Sequence, residues 1–195
     1  MPVECGRVTM CSWCRDKRIT DYMCLLKVTQ PHSMFRLTQV GNDWSTIRVR
    51  MQRLHEHLTR DGFNVFWAYV VERHPGSGEH HVQGWMRGDH VPKEHLSRRA
   101  QSAGMGWSVH IKQLHDDNGY WYLFKEPRST QPSVCEHFEQ MNGGRLLHVS
   151  HGFWRIAQTG EILRGEFRSI LARVRRQLGL GGDARMVWID PSTDT

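Results

Sequence analysis

Glu72, His81 and Gln83, followed downstream by Tyr122 and Lys125, are the residues whose types and spacing suit metal-assisted chemistry on a phosphodiester. On an extended strand, residues two apart project to one side. His81 and Gln83 therefore share a face, while His80 and Val82 point the other way. Glu72 closes a run of β-branched and aromatic residues, Val65 to Val71, and His74-Pro75-Gly76-Ser77-Gly78 reads as a turn. A hairpin through that turn brings the carboxylate beside the imidazole. One carboxylate, one imidazole nitrogen and one amide oxygen make a nitrogen and oxygen site suited to magnesium or manganese. An ion held there polarises a phosphate oxygen. The plainer alternative is a polar strand facing solvent in a chain with 13 histidines.

Tyr122 and Lys125 are three residues apart on a short helix expected over 120–125, so they share a face. A tyrosine hydroxyl, with an ordinary pKa of about 10, is a weak nucleophile until an adjacent ammonium favours its phenolate or holds the phosphate under attack. Tyr120 is the rival nucleophile, but it lies about 200° round a helix from Tyr122 and has no lysine three residues on. The plainer alternative here is an aromatic packing helix.

Positioning these groups requires a sheet. Met34 to Val40 alternates apolar and polar residues and reads as a half-buried strand. Ile47, Met51, Leu54 and Leu58 mark one apolar face of a helix over 45–60, stopped by Asp61-Gly62. Strands are expected at 65–72, 81–86, 107–114 and 146–149, and a helix from Pro92 to about Ala103. A polar linker is read near 128–133, and an amphipathic helix over 161–178. This order predicts an α+β fold, an antiparallel sheet with helices packed on it.

The 195 residues suffice for one domain, divided into a Cys-bearing leader (1–31), a central domain carrying these groups (32–150) and a C-terminal helix with its tail (151–195). No apolar run reaches membrane-spanning length, and the first residues read as no secretory signal. A net charge of +6 and arginines at 48, 50, 53, 98, 99, 173, 175 and 176 suit a polyanionic partner or a solvated surface equally. Five cysteines without an export signal argue against a disulfide framework. Cys11 and Cys14 have zinc-knuckle spacing, and Cys5 and Cys24 would have to complete a structural zinc site; reduced, unligated thiols are the expected state.

The ordered set resembles the HUH endonucleases. His81-Val82-Gln83-Gly84-Trp85 is similar to their second motif, in the variant with glutamine for the second histidine, found in replication-associated proteins of circular single-stranded DNA viruses. Phe35-Arg36-Leu37-Thr38-Gln39 resembles the first motif, Tyr122-Leu123-Phe124-Lys125 the third, and Glu72 stands at the place of the third metal ligand. The resemblance covers roughly residues 33–126. It implies a five-stranded antiparallel sheet with the metal site on its central strands. It also implies site-specific nicking and ligation of single-stranded DNA through a 5′-phosphotyrosyl bond to Tyr122, as in rolling-circle initiation. The long basic helix over 45–60 and the Cys-rich leader depart from the viral pattern.

No Gly-x-x-x-x-Gly-Lys-Ser/Thr occurs, so unwinding is expected from a separate helicase, with a host polymerase extending the freed 3′ end. The expected partner is single-stranded DNA at a replication origin, presented as a hairpin. Arg36, Thr38, Gln39 and Arg87 are the expected DNA contacts, and the helix over 161–178 packs on the sheet or forms an oligomer or helicase contact. No membrane partner is expected, and the compartment is cytoplasm or nucleus according to the host. The competing readings are a single-tyrosine transposase or mobilisation relaxase, and a non-catalytic zinc-containing DNA-binding module.

Overall fold

Alternation along the chain produces four long strands, and a computed structural model shows how they assemble. It describes residues 12–39, 43–74, 78–115, 117–125, 131–143, 145–164 and 167–180. The elements are α1 (Ser12–Thr29), β1 (Ser33–Gln39), α2 (Ile47–Arg60), β2 (Val65–Arg73), β3 (His80–Gly88), α3 (Lys93–Ser102), β4 (Met105–Gln113), α4 (Pro132–Met141), β5 (His148–Val149) and α5 (Phe167–Gln177), with single 3-10 turns between some of them. The strands form one five-stranded sheet in the order β4-β1-β3-β2-β5, and every pairing is antiparallel. The α+β fold with a five-stranded antiparallel sheet is as expected.

The two faces of the sheet carry separate cores. Phe35, Leu37, Trp67, Tyr69, Val71, Val82 and Met86 pack under the apolar stripe of α2 (Ile47, Met51, Leu54, Leu58) and under Leu96 and Ala100 of α3. On the opposite face Ala68, Val70 and Trp85 meet Ile19, Met23 and Leu26 of α1, with Tyr120, Leu123, Phe124 and Phe138. Gly84 is required by the first core. A Cβ there would lie 2.7 Å from the Phe35 ring and 2.4 Å from the Ala68 carbonyl, because Phe35 crosses β3 at this point.

Three expectations change. The leader, for which no element was expected, carries the 18-residue helix α1 from Ser12. Its apolar residues point both ways, Ile19, Met23 and Leu26 to the sheet and Cys24, Leu25 and Val28 to a third core shared with α5. Cys14 and Cys24 are ten residues apart on this helix, roughly 15 Å along its axis, so they cannot ligate one zinc ion together. Both are buried and neither is in a disulfide; Cys5 and Cys11 lie outside the described residues. The second change is α4, which occupies the stretch after the expected linker with Pro132 in its first turn. Asn142, fully buried at its end, closes the β2 edge beyond β5. Its Oδ1 accepts the Val71 N–H at 2.9 Å and its Nδ2 donates to the Val71 carbonyl at 2.9 Å. Third, the C-terminal helix starts at Phe167 rather than 161, because Ile162 bridges to Arg155 in a turn. Among the described residues, no helix is long and apolar enough to cross a membrane.

Candidate active site

Strand register decides which of the chemistry-bearing residues meet. Glu72 pairs directly with His81, and Val70 with Gln83, while on the other side of β3 Thr38 pairs with His81 and Arg36 with Gln83. Paired residues share a face. Glu72, His81, Gln83, Arg36 and Thr38 therefore stand together on the face opposite α2. His80 pairs with Arg73 and turns to the other face, as its position one residue earlier requires.

The triad converges. His81 Nε2 lies 3.3 Å from Glu72 Oε2. Glu72 is 0% exposed and Gln83 2% exposed. Neither carboxylate oxygen of Glu72 accepts a hydrogen bond of good geometry, and Gln83 Oε1 has no donor at all. Gln83 Nε2 meets only the sulfur of Met34, at 3.7 Å. Buried oxygens without donors are uncommon and cost roughly 1–3 kcal/mol each. Glu72 and Gln83 present such oxygens on the face that also carries His81, and oxygens of this kind are what a hard divalent cation takes, so these residues fit a bound magnesium or manganese ion. Among the described residues no group of three or more His, Cys, Asp or Glu is arranged for an ion, and this triad differs in taking its third oxygen from an amide.

Tyr122 and Lys125 reach the triad from a 3-10 turn, Tyr122–Phe124, rather than from the expected α-helix. Residues three apart eclipse in a 3-10 turn, which places the two side chains over one another. Leu123 and Phe124 anchor the turn in the core beneath Trp85. Lys125 Nζ sits 3.2 Å from Glu72 Oε2 and 4.3 Å from the Tyr122 ring centroid. Because both distances share Nζ, the ring centre and the carboxylate oxygen are at most about 7.5 Å apart. Burial pushes the Lys125 pKa down, but the Glu72 carboxylate and the Tyr122 side chain outweigh it, and the ammonium is held above its ordinary value. The two tyrosines separate cleanly. Tyr122 is 44% exposed, whereas Tyr120 is 5% exposed with its ring against Trp85.

Of the expected DNA contacts, Arg36 and Thr38 border the triad. Thr38 stands where the β1–β4 register slips between Leu37 and Gln39, and its hydroxyl donates to the Ser108 carbonyl at 3.3 Å. Gln39 closes β1 opposite Met105. Arg87 is a correction. Its guanidinium donates to the carbonyls of Phe153 and Arg155, and it lies six residues along β3 from His81, roughly 20 Å away. It braces the turn at 153–155 instead of facing the site.

Two features escaped sequence reasoning. His74, two residues past Glu72, places its ring 6.3 Å from that of His81. The same period of two that joins His81 to Gln83 would have found it. His110 of β4 pairs with Arg36 and extends the triad's face, with Ser108 Oγ 3.2 Å from its Nε2. No local pattern shows that pairing, because β4 joins β1 across 70 residues of chain. Comparison of the chain with protein-family models, characterised proteins and solved structures found no match.

Proposed function

We propose that this chain is a metal-dependent endonuclease and ligase of single-stranded DNA, acting at a replication origin to initiate rolling-circle synthesis. The observation that carries this reading is the cluster of donorless buried oxygens on Glu72 and Gln83 beside His81, with the exposed Tyr122 joined to it through Lys125. A divalent ion held by Glu72, His81 and Gln83 would supply Lewis-acid stabilisation of charge on the scissile phosphate.

The chain's own residues account for the rest. The Tyr122 oxygen attacks phosphorus, the bond from phosphorus to the 3′ oxygen breaks, and the phenolic proton ends on the freed 3′ hydroxyl. One phosphodiester is exchanged for another, so an incoming 3′ hydroxyl can reverse the step without a nucleotide cofactor. Lys125, cationic and beside the nucleophile, neutralises charge on the phosphate. Arg36, Thr38 and His110 continue the same face across β1 and β4 and offer a path for the strand. An origin hairpin would expose that strand, and helicase and polymerase would come from other proteins. A transposase or relaxase would use the same atoms; the glutamine at 83 favours replication initiation. A purely DNA-binding zinc module has less support, since Cys14 and Cys24 cannot share an ion.

The test is a labelled single-stranded oligonucleotide library carrying origin-type hairpins, incubated with the protein and manganese. Wild type is expected to leave a protein–DNA adduct that survives denaturation, and Tyr122→Phe none. Equal adduct from both proteins contradicts the assignment, and duplex binding with no cleavage of any single strand favours the binding module.

A further inference from the structure

On the reverse face of β3, behind the triad, two histidines face each other. His80 is 7% exposed, and neither of its ring nitrogens has a hydrogen-bond partner. His137, on α4, has a buried Nε2 that is likewise unpartnered. The two ring centroids are 5.7 Å apart with planes inclined at 32°. Unpartnered buried imidazole nitrogens cost the fold, and an ion shared by the two rings would take one nitrogen from each.

Their separation suits one ion. A coordinating nitrogen lies about 1.1 Å from its ring centre and about 2.1 Å from a bound zinc, so two rings sharing an ion have centres up to roughly 6.4 Å apart. Imidazole pairs select borderline ions of the zinc type over magnesium or calcium, which prefer oxygen. The α4 backbone also fits a brace. His137 and Met141 are one turn apart, and Met141 is anchored in the α2-side core. The nearby Arg73 opposes a cation only weakly, because it is exposed and its Nε donates to the Gly78 carbonyl at 3.2 Å.

We propose that His80 and His137 form a second, structural metal site that takes a zinc-type ion, with water completing its shell, and clamps α4 to the start of β3. It is separate from the magnesium or manganese site and does not depend on the proposed nuclease activity. Zinc and cobalt are titrated into the metal-free full-length protein in the presence of millimolar magnesium. The measurements are thermal melting and cobalt visible absorption. In Cys11→Ser/Cys14→Ser and in Glu72→Gln, one equivalent is expected to bind with a nitrogen-type cobalt spectrum and raise the Tm by several degrees. In His137→Ala, or in His137→Gln if the alanine variant is unfolded, that equivalent and the shift are expected to be lost, with affinity down at least tenfold. No zinc binding, binding that survives at His137→Ala and His137→Gln, or binding that disappears with the cysteines or with Glu72→Gln overturns the proposal.

Discussion

Glu72 is poorly placed for the fold and is the residue on which the proposed chemistry leans most. Its carboxylate is wholly buried, and the Lys125 ammonium at 3.2 Å balances its charge without satisfying its oxygens. Taking a carboxylate out of water is expensive, and long contacts recover only part of the loss. Glu72→Gln keeps the shape and removes the charge. The account predicts an unchanged or slightly higher Tm for this variant together with a loss of nicking of at least about 100-fold, roughly 3 kcal/mol of transition-state stabilisation. A large fall in Tm with nicking retained per folded molecule would mean that Glu72 serves the fold instead. Burial also supports the choice between the tyrosines that spacing favoured: Tyr120 is a core side chain, and Tyr122 is not.

At the scale of elements, joints between helices carry charge. Asp61, the residue capping the end of α2, receives Arg99 of α3 through both carboxylate oxygens and His95 Nε2 at 2.7 Å. Hydrogen bonds from Arg99, against a smaller effect of burial, pull the Asp61 pKa down to about 2 from its ordinary 3.8. A carboxylate depressed in the folded state stabilises the fold fully above its ordinary pKa, and the contribution fades as pH falls through the interval from about 4 to 2. The Tm difference between wild type and Asp61→Asn should therefore be constant above pH 5, shrink below pH 4 and vanish near pH 2 (roughly). A gap that stays constant down to the acid limit would contradict the α2–α3 joint.

The elements that sequence reasoning recovered each carry a local pattern that burial explains. Helices α2 and α3 bury one face and keep a readable period, whereas β2 and β3 are buried on both faces and are legible as runs of apolar and β-branched residues between turns. Helix α1 keeps no such pattern, because it lies between the sheet on one side and α5 on the other and its apolar residues are spread around it. Helix α4 is only ten residues long and divides its anchors between two cores, Met141 in one and Phe138 in the other.

Across the whole molecule, the arginine excess is partly internal. Arg99 pairs with Asp61, Arg173 with Glu161 and Arg175 with Asp21, so these side chains hold elements together. The basic helix α2 covers the face of the sheet opposite the triad. Net charge alone was therefore a poor guide to a nucleic-acid surface; the candidate triad was legible because strand parity puts its members on one face, and the flanking His110 was not because it depends on a distant pairing. What the fold as a whole brings together is one buried oxygen-rich triad and one exposed phenol, supplied by segments about 40 residues apart. The most direct test is peptide mapping by mass spectrometry after reaction with a single-stranded origin hairpin and manganese. The account predicts a nucleotide joined through its 5′ phosphate to Tyr122 within the Gln113–Lys125 peptide. A covalent nucleotide on Tyr120 or on any other side chain, or a linkage through a 3′ phosphate, would contradict it.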